Sequence, residues 1–96
     1  MNSTQVEKIK KTLSVIFEKN GVKRAALFGS IVRGDATENS DIDLLVEFHG
    51  RKSLFDLSGL KLDVEEALGR HADVLTYDSL HPLLRDRVLK EKVSIL

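Results

Sequence analysis

The chain has 96 residues, no cysteine, and 15 basic side chains against 15 acidic ones, so its formal charge is zero. That length builds one modest core without a second lobe, the lack of cysteine removes disulfides, thiolate zinc sites and a thiol nucleophile, and the balanced charge supplies no overall positive field for a polyanion. Nucleic acid is therefore an unlikely partner on charge alone, and a polar N-terminus without any long apolar run predicts a cytoplasmic protein with no membrane association.

Val6, Ile9, Leu13, Ile16 and Phe17 recur at helical spacing, which predicts an amphipathic helix over residues 4–19, closed by Asn20-Gly21. Val22 to Phe28 is short, apolar towards its end and halted by Gly29, as a buried strand would be. After a polar connection, residues 42–48 alternate: Ile42, Leu44, Val46 and Phe48 on one face, Asp41, Asp43, Leu45 and Glu47 on the other. Residues 53–68 read as a helix with Leu54, Leu57, Leu60, Val64 and Leu68 along one side and Gly69 as its stop. Residues 72–76 form a third strand, and Pro82 opens a last helix running to about Lys92. No repeat, linker or low-complexity tract interrupts this order, which predicts one α/β (α+β) domain over residues 1–96, a small mixed sheet packed with helices.

Ten residues separate Gly29-Ser30 from Asp41-x-Asp43. A glycine at the end of a strand lets the backbone turn sharply and approach a ligand, and Ser30 is placed to cap a short helical turn whose free N–H groups suit nucleotide phosphates. Alone, a Gly-Ser pair is an ordinary turn. Asp41 and Asp43 are alternate residues of a strand, so their carboxylates point the same way. Two such charges ~4 Å apart repel by about 4 kcal/mol at an effective dielectric of 20, and a divalent cation removes that repulsion. An isolated Asp-x-Asp also suits a solvated strand start. Asp73 adds a third carboxylate inside a strand that otherwise reads as buried; it either faces the same site or pairs at the sheet edge with Arg70 or His71.

The run LFGSIVRGDATENSDIDLLVEF, followed by HADVLTYDSL, resembles the minimal nucleotidyltransferase family of the DNA polymerase beta superfamily over nearly the whole chain. The resemblance implies a polymerase-beta-like nucleotidyltransferase fold and a set of roles. Gly29 and Ser30 would bind the phosphates of ATP, Asp41 and Asp43 would hold two magnesium ions, and Asp73 would ligate the catalytic ion and help deprotonate the attacking hydroxyl. Arg33, which with Gly34 matches the family pattern, would touch phosphate or brace the loop. Many relatives carry a basic residue directly after the serine, where this chain has Ile31 and Val32. Family members of this size resemble antitoxins that move AMP from ATP onto a tyrosine of a HEPN-domain toxin. The alternatives are a binding antitoxin that masks its toxin without catalysis, and nucleotidyl transfer to a small molecule.

The remaining polar residues have plainer readings. His49, His71 and His81 stand singly without metal-ligand spacing, Arg51 and Lys52 suit a solvated turn, and Arg85, Arg87, Lys90 and Lys92 give the last helix a basic character. Arg51 and Lys52 could also meet phosphate or a partner, and the last helix an acidic partner surface. Tyr77 reads as a strand-end aromatic.

Overall fold

The computed structural model describes residues 3–37 and 39–96. In chain order the elements are α1 (Ser3–Lys19), β1 (Val22–Phe28), α2 (Ser30–Arg33), β2 (Ile42–Phe48), α3 (Leu54–Leu68), β3 (Ala72–Thr76), a 3-10 turn (Tyr77–Ser79), α4 (Pro82–Glu91) and β4 (Val93–Ser94). The strands form one mixed sheet in the order β3-β2-β1-β4. β1 runs antiparallel to both β2 and β4, whereas β3 runs parallel to β2. A parallel neighbour needs a crossover, and α3 supplies it.

The alternation of β2 decides how the layers stack. Ile42, Leu44 and Val46 face a core completed by Val6, Ile9, Leu13 and Phe17 of α1 and by Leu60 and Val64 of α3. Leu45 points the other way and joins Ala26, Leu80 and Val88, so α4 covers part of the opposite face. Leu13, Leu27, Leu44, Leu45 and Leu60 are fully enclosed. Each such side chain contributes about 1.5–3 kcal/mol of transfer free energy relative to exposure. Among the described residues no polar or charged residue is buried, and no helix is long and apolar enough to cross a membrane.

Three details differ from the pattern of the sequence. Leu54, on the expected apolar side of α3, is 81% exposed; packing begins only at Leu57. Ser53 starts the helix, accepting from the Asp56 N–H while the Asp56 carboxylate accepts from the Ser53 N–H, so the first turn is held by its cap instead of by the core. The chain also adds the 3-10 turn and β4, two residues of which pair with Ala26 and Leu27. A strand that short carries no periodicity of its own.

Candidate active site

Strand β1 ends at Phe28, whose register partner on β2 is Asp43, so the following turn starts beside that carboxylate. Gly29 makes the turn at φ 77° and ψ −149°, a conformation essentially confined to glycine. A methyl group there would collide with the Asp43 carboxylate, sitting 3.0 Å from Cγ and closer still to Oδ2. The backbone comes this near the acid because residue 29 has no side chain. Gly29, and not Ser30, is the N-cap of α2. Ser30 is the first helical residue, so the expected side-chain cap is corrected, and its hydroxyl bonds to no described residue. The Gly29 carbonyl accepts from the N–H groups of Val32 and Arg33, both at 3.1 Å.

Asp43 and Asp73 are direct partners on the parallel strands β2 and β3, and partners in register share a face. Asp41 lies two residues before Asp43, exposed at the approach to β2. None of the three carboxylates accepts a hydrogen bond or an ion pair from a described residue. Burial pushes the Asp43 carboxyl above its ordinary pKa, and the charges of Asp73 and Asp41 push it further; Arg33 opposes the rise and Glu91 adds to it. The cations next to Asp73 in sequence are engaged elsewhere. Arg70 Nη2 donates to the carbonyls of Thr37 at 2.8 Å and Ser40 at 2.6 Å, tying the loop that leads to Asp41 against the start of β3. His71 Nδ1 lies 3.3 Å from Glu65 Oε2. The edge-strand pairing of Asp73 with Arg70 or His71 is therefore not formed.

The structure also brings in an acid that the sequence pattern did not single out. Glu91, at the end of α4, accepts at Oε1 from the Gly29 N–H at 3.1 Å and from Arg33 Nη1 at 2.8 Å. Its side chain is only 16% exposed, with Oε2 4.0 Å from Arg87 Nε. Arg33 thus braces the Gly29 turn through Glu91, and its Nε reaches Asp35 at 3.4 Å. One signal was available: a carboxylate in the last turn of a helix opposes the helix dipole, and Glu91 is the lone acid among the basic residues there.

Among the described residues no three metal-ligating side chains enclose an ion by themselves. The donor set is nonetheless suited to magnesium: hard carboxylate oxygens on neighbouring strands, unpaired by any described residue, beside a backbone turn without a Cβ. Magnesium keeps several waters and binds through one or two carboxylates plus substrate phosphates, so an open set fits it better than a closed cage.

Residues 6–95 match the family model described as a nucleotidyltransferase domain. A Methanocaldococcus jannaschii protein provisionally named protein adenylyltransferase MJ0435 is 54% identical over 91 residues, covering 95% of this chain and 98% of its own. The protein adenylyltransferase MntA of Thermococcus cleftensis is 38% identical over 78 residues, covering 81% and 79%. Among solved structures, one described as a provisional minimal nucleotidyltransferase superposes with TM-score 0.80 at 35% identity, covering 97% of this chain and 95% of that one. Two complexes share the fold at lower identity. One is a toxin–antitoxin with AMP-PNP, with TM-score 0.79, 21% identity and coverage of 91% and 72%. The other is a tri-AMPylated Shewanella oneidensis HEPN toxin with its MNT antitoxin, with TM-score 0.73, 17% identity and coverage of 94% and 71%. The match over residues 6–95, with the identity to these relatives and the shared fold, places the chain in the nucleotidyltransferase domain family, among its minimal members.

Proposed function

We propose that this nucleotidyltransferase transfers AMP from ATP, with magnesium, to a tyrosine hydroxyl of a HEPN-type partner toxin, and so acts as the antitoxin of the pair. The observation that carries the reading is the in-register placement of Asp43 and Asp73, unpartnered and beside the Gly29-Ser30 turn. Support for the acceptor comes from relatives named protein adenylyltransferases and from the fold shared with toxin–antitoxin complexes.

In this reading Gly29 and Ser30 receive the β- and γ-phosphates, and Arg33 steadies that turn from behind. Asp41, Asp43 and Asp73 would hold the magnesium ions, which supply charge neutralisation at the attacking and departing oxygens. Asp73 stands on the β3 side, away from the phosphate turn, and takes the proton of the attacking hydroxyl. The hydroxyl oxygen forms its bond to the α-phosphorus as the bond to the bridging oxygen breaks, and pyrophosphate leaves in line.

The test is label transfer from α-phosphate-labelled ATP and magnesium into a lysate of the source cell, comparing wild type with Asp43→Asn. A discrete labelled protein, seen with wild type alone and identified by mass as a HEPN-domain protein, supports the reading. Label confined to small molecules, or equal with both proteins, contradicts it.

A further inference from the structure

Asp43, Leu45 and Glu47 alternate along one face of β2, and Asp73 and Leu75 of β3 stand in register beside the first two. Leu45 is enclosed by Leu80 and Val88, so the open route from the carboxylates runs along β3, past the exposed Leu75, to a cavity of about 590 Å³ at the far end of β2. At ~3.3 Å per residue the distance from Asp43 to Glu47 is about 13 Å. Four cations border the cavity, Arg24, Arg51, Lys52 and Arg85, against two acids, Glu47 and Asp78. In a chain of zero net charge this is a concentrated local excess. Arg24 is committed, since it hydrogen-bonds Glu47 and lies 4.4 Å from the centroid of the Tyr77 ring. Arg51 and Arg85 have no carboxylate partner among the described residues.

We infer that this cavity is a docking subsite for the acceptor protein, taking an acidic side chain that lies about four extended residues from the acceptor hydroxyl. The inference rests on the adenylyl-transfer reading and specifies the partner's chemistry. With pyrophosphate departing over the Gly29 turn on the β1 side, in-line attack brings the acceptor across β3, where the track to the cavity begins. The exposed Leu75 at the sheet edge gives an intervening segment an apolar contact. Arg51 and Arg85 offer planar, multiple donors to a carboxylate, and the Tyr77 ring, fixed by Arg24, walls the pocket. The volume accommodates a side chain with its neighbours, and the local excess of cations over acids suits a single carboxylate.

The test uses the full chain and three short fluorescein-labelled peptides. Each has one tyrosine; one carries adjacent glutamates about four residues away, the second glutamines and the third lysines in their place. Fluorescence anisotropy should give the glutamate peptide about tenfold tighter binding to wild type. That preference should vanish in Arg51→Gln/Arg85→Gln and turn towards the lysine peptide in Arg51→Glu/Arg85→Glu, with both variants melting as wild type does. Equal affinity for the glutamate and glutamine peptides, or a preference that survives the substitutions, overturns the inference. So does a variant that loses affinity for ATP, because the cavity would then belong to the nucleotide. Parallel label transfer keeps the two claims apart. Peptides labelled without charge preference leave adenylylation standing and remove the docking site, whereas preferential binding with no labelling does the reverse.

Discussion

Asp43 and Glu47 share one face of β2, and their surroundings treat them in opposite ways. Opposite Glu47, β1 presents Arg24, which donates to it from Nε at 2.8 Å and also from Nη2, with Lys23 Nζ 3.7 Å away. The hydrogen bonds from Arg24 hold the Glu47 carboxyl below the usual range. Opposite Asp43, β1 presents Phe28 and then Gly29, and burial first, then the charges of Asp73 and Asp41, push its carboxyl up. The same two strands therefore pair one acid and leave the other without a hydrogen-bond or ion-pair partner among the described residues. An acid serving only the fold would be treated like Glu47. The buried, unpaired charge at Asp43 suits a ligand, and in the proposed function a divalent cation would neutralise it.

Removing the charge at the unneutralised end should have the largest effect. Asp43→Asn is expected to lower the rate of nucleotidyl transfer on the order of a thousand-fold, read as label released from α-labelled ATP. Next comes the turn that approaches that acid. Gly29→Ala puts a methyl against the Asp43 carboxylate at a positive φ, costing about 1–3 kcal/mol and lowering the Tm in calorimetry by about 5 °C or more. Glu91→Ala removes the acceptor shared by Gly29 and Arg33. It should destabilise by about 1 kcal/mol and raise KM for ATP several-fold, with Glu91→Gln recovering much of the stability because its amide oxygen still accepts the Gly29 N–H. The compensated end should respond least. Glu47→Gln should lower the Tm slightly at neutral pH. With its folded pKa depressed, the Glu47 contribution is present above the ordinary carboxylate pKa and fades as pH falls through the lowered one, so the variant and wild type should melt alike in acid.

Much of this contrast is legible in the sequence, because it rests on strand periodicity. The alternation from Asp41 to Phe48 fixes which acids share a face, and the glycine after Phe28 marks where backbone replaces side chain. The placement of Asp73 beside Asp43 follows from a crossover helix of ordinary length between parallel strands. What was hidden is long-range. Glu91 reaches Gly29 across most of the chain, and no local spacing encodes that contact. The expected cap at Ser30 failed because Gly29 itself adopts the non-helical conformation, a consequence of its closeness to Asp43. Leu54 fits the helical period but lies in a first turn held by its own cap, which periodicity cannot distinguish from a turn held by the core.

The most direct test of the central claim is the Tm of wild type and Asp43→Asn, each measured in chelator and in saturating magnesium. With its folded pKa raised, the Asp43 carboxylate weakens the fold by a penalty that is absent below the ordinary carboxylate pKa and complete above the raised value. In chelator at neutral pH the asparagine variant should therefore melt above wild type. That gap should close on acidification. Magnesium should raise the wild-type Tm and leave the variant nearly unchanged. A variant that melts at or below wild type in chelator, or magnesium that raises both alike, would contradict the account.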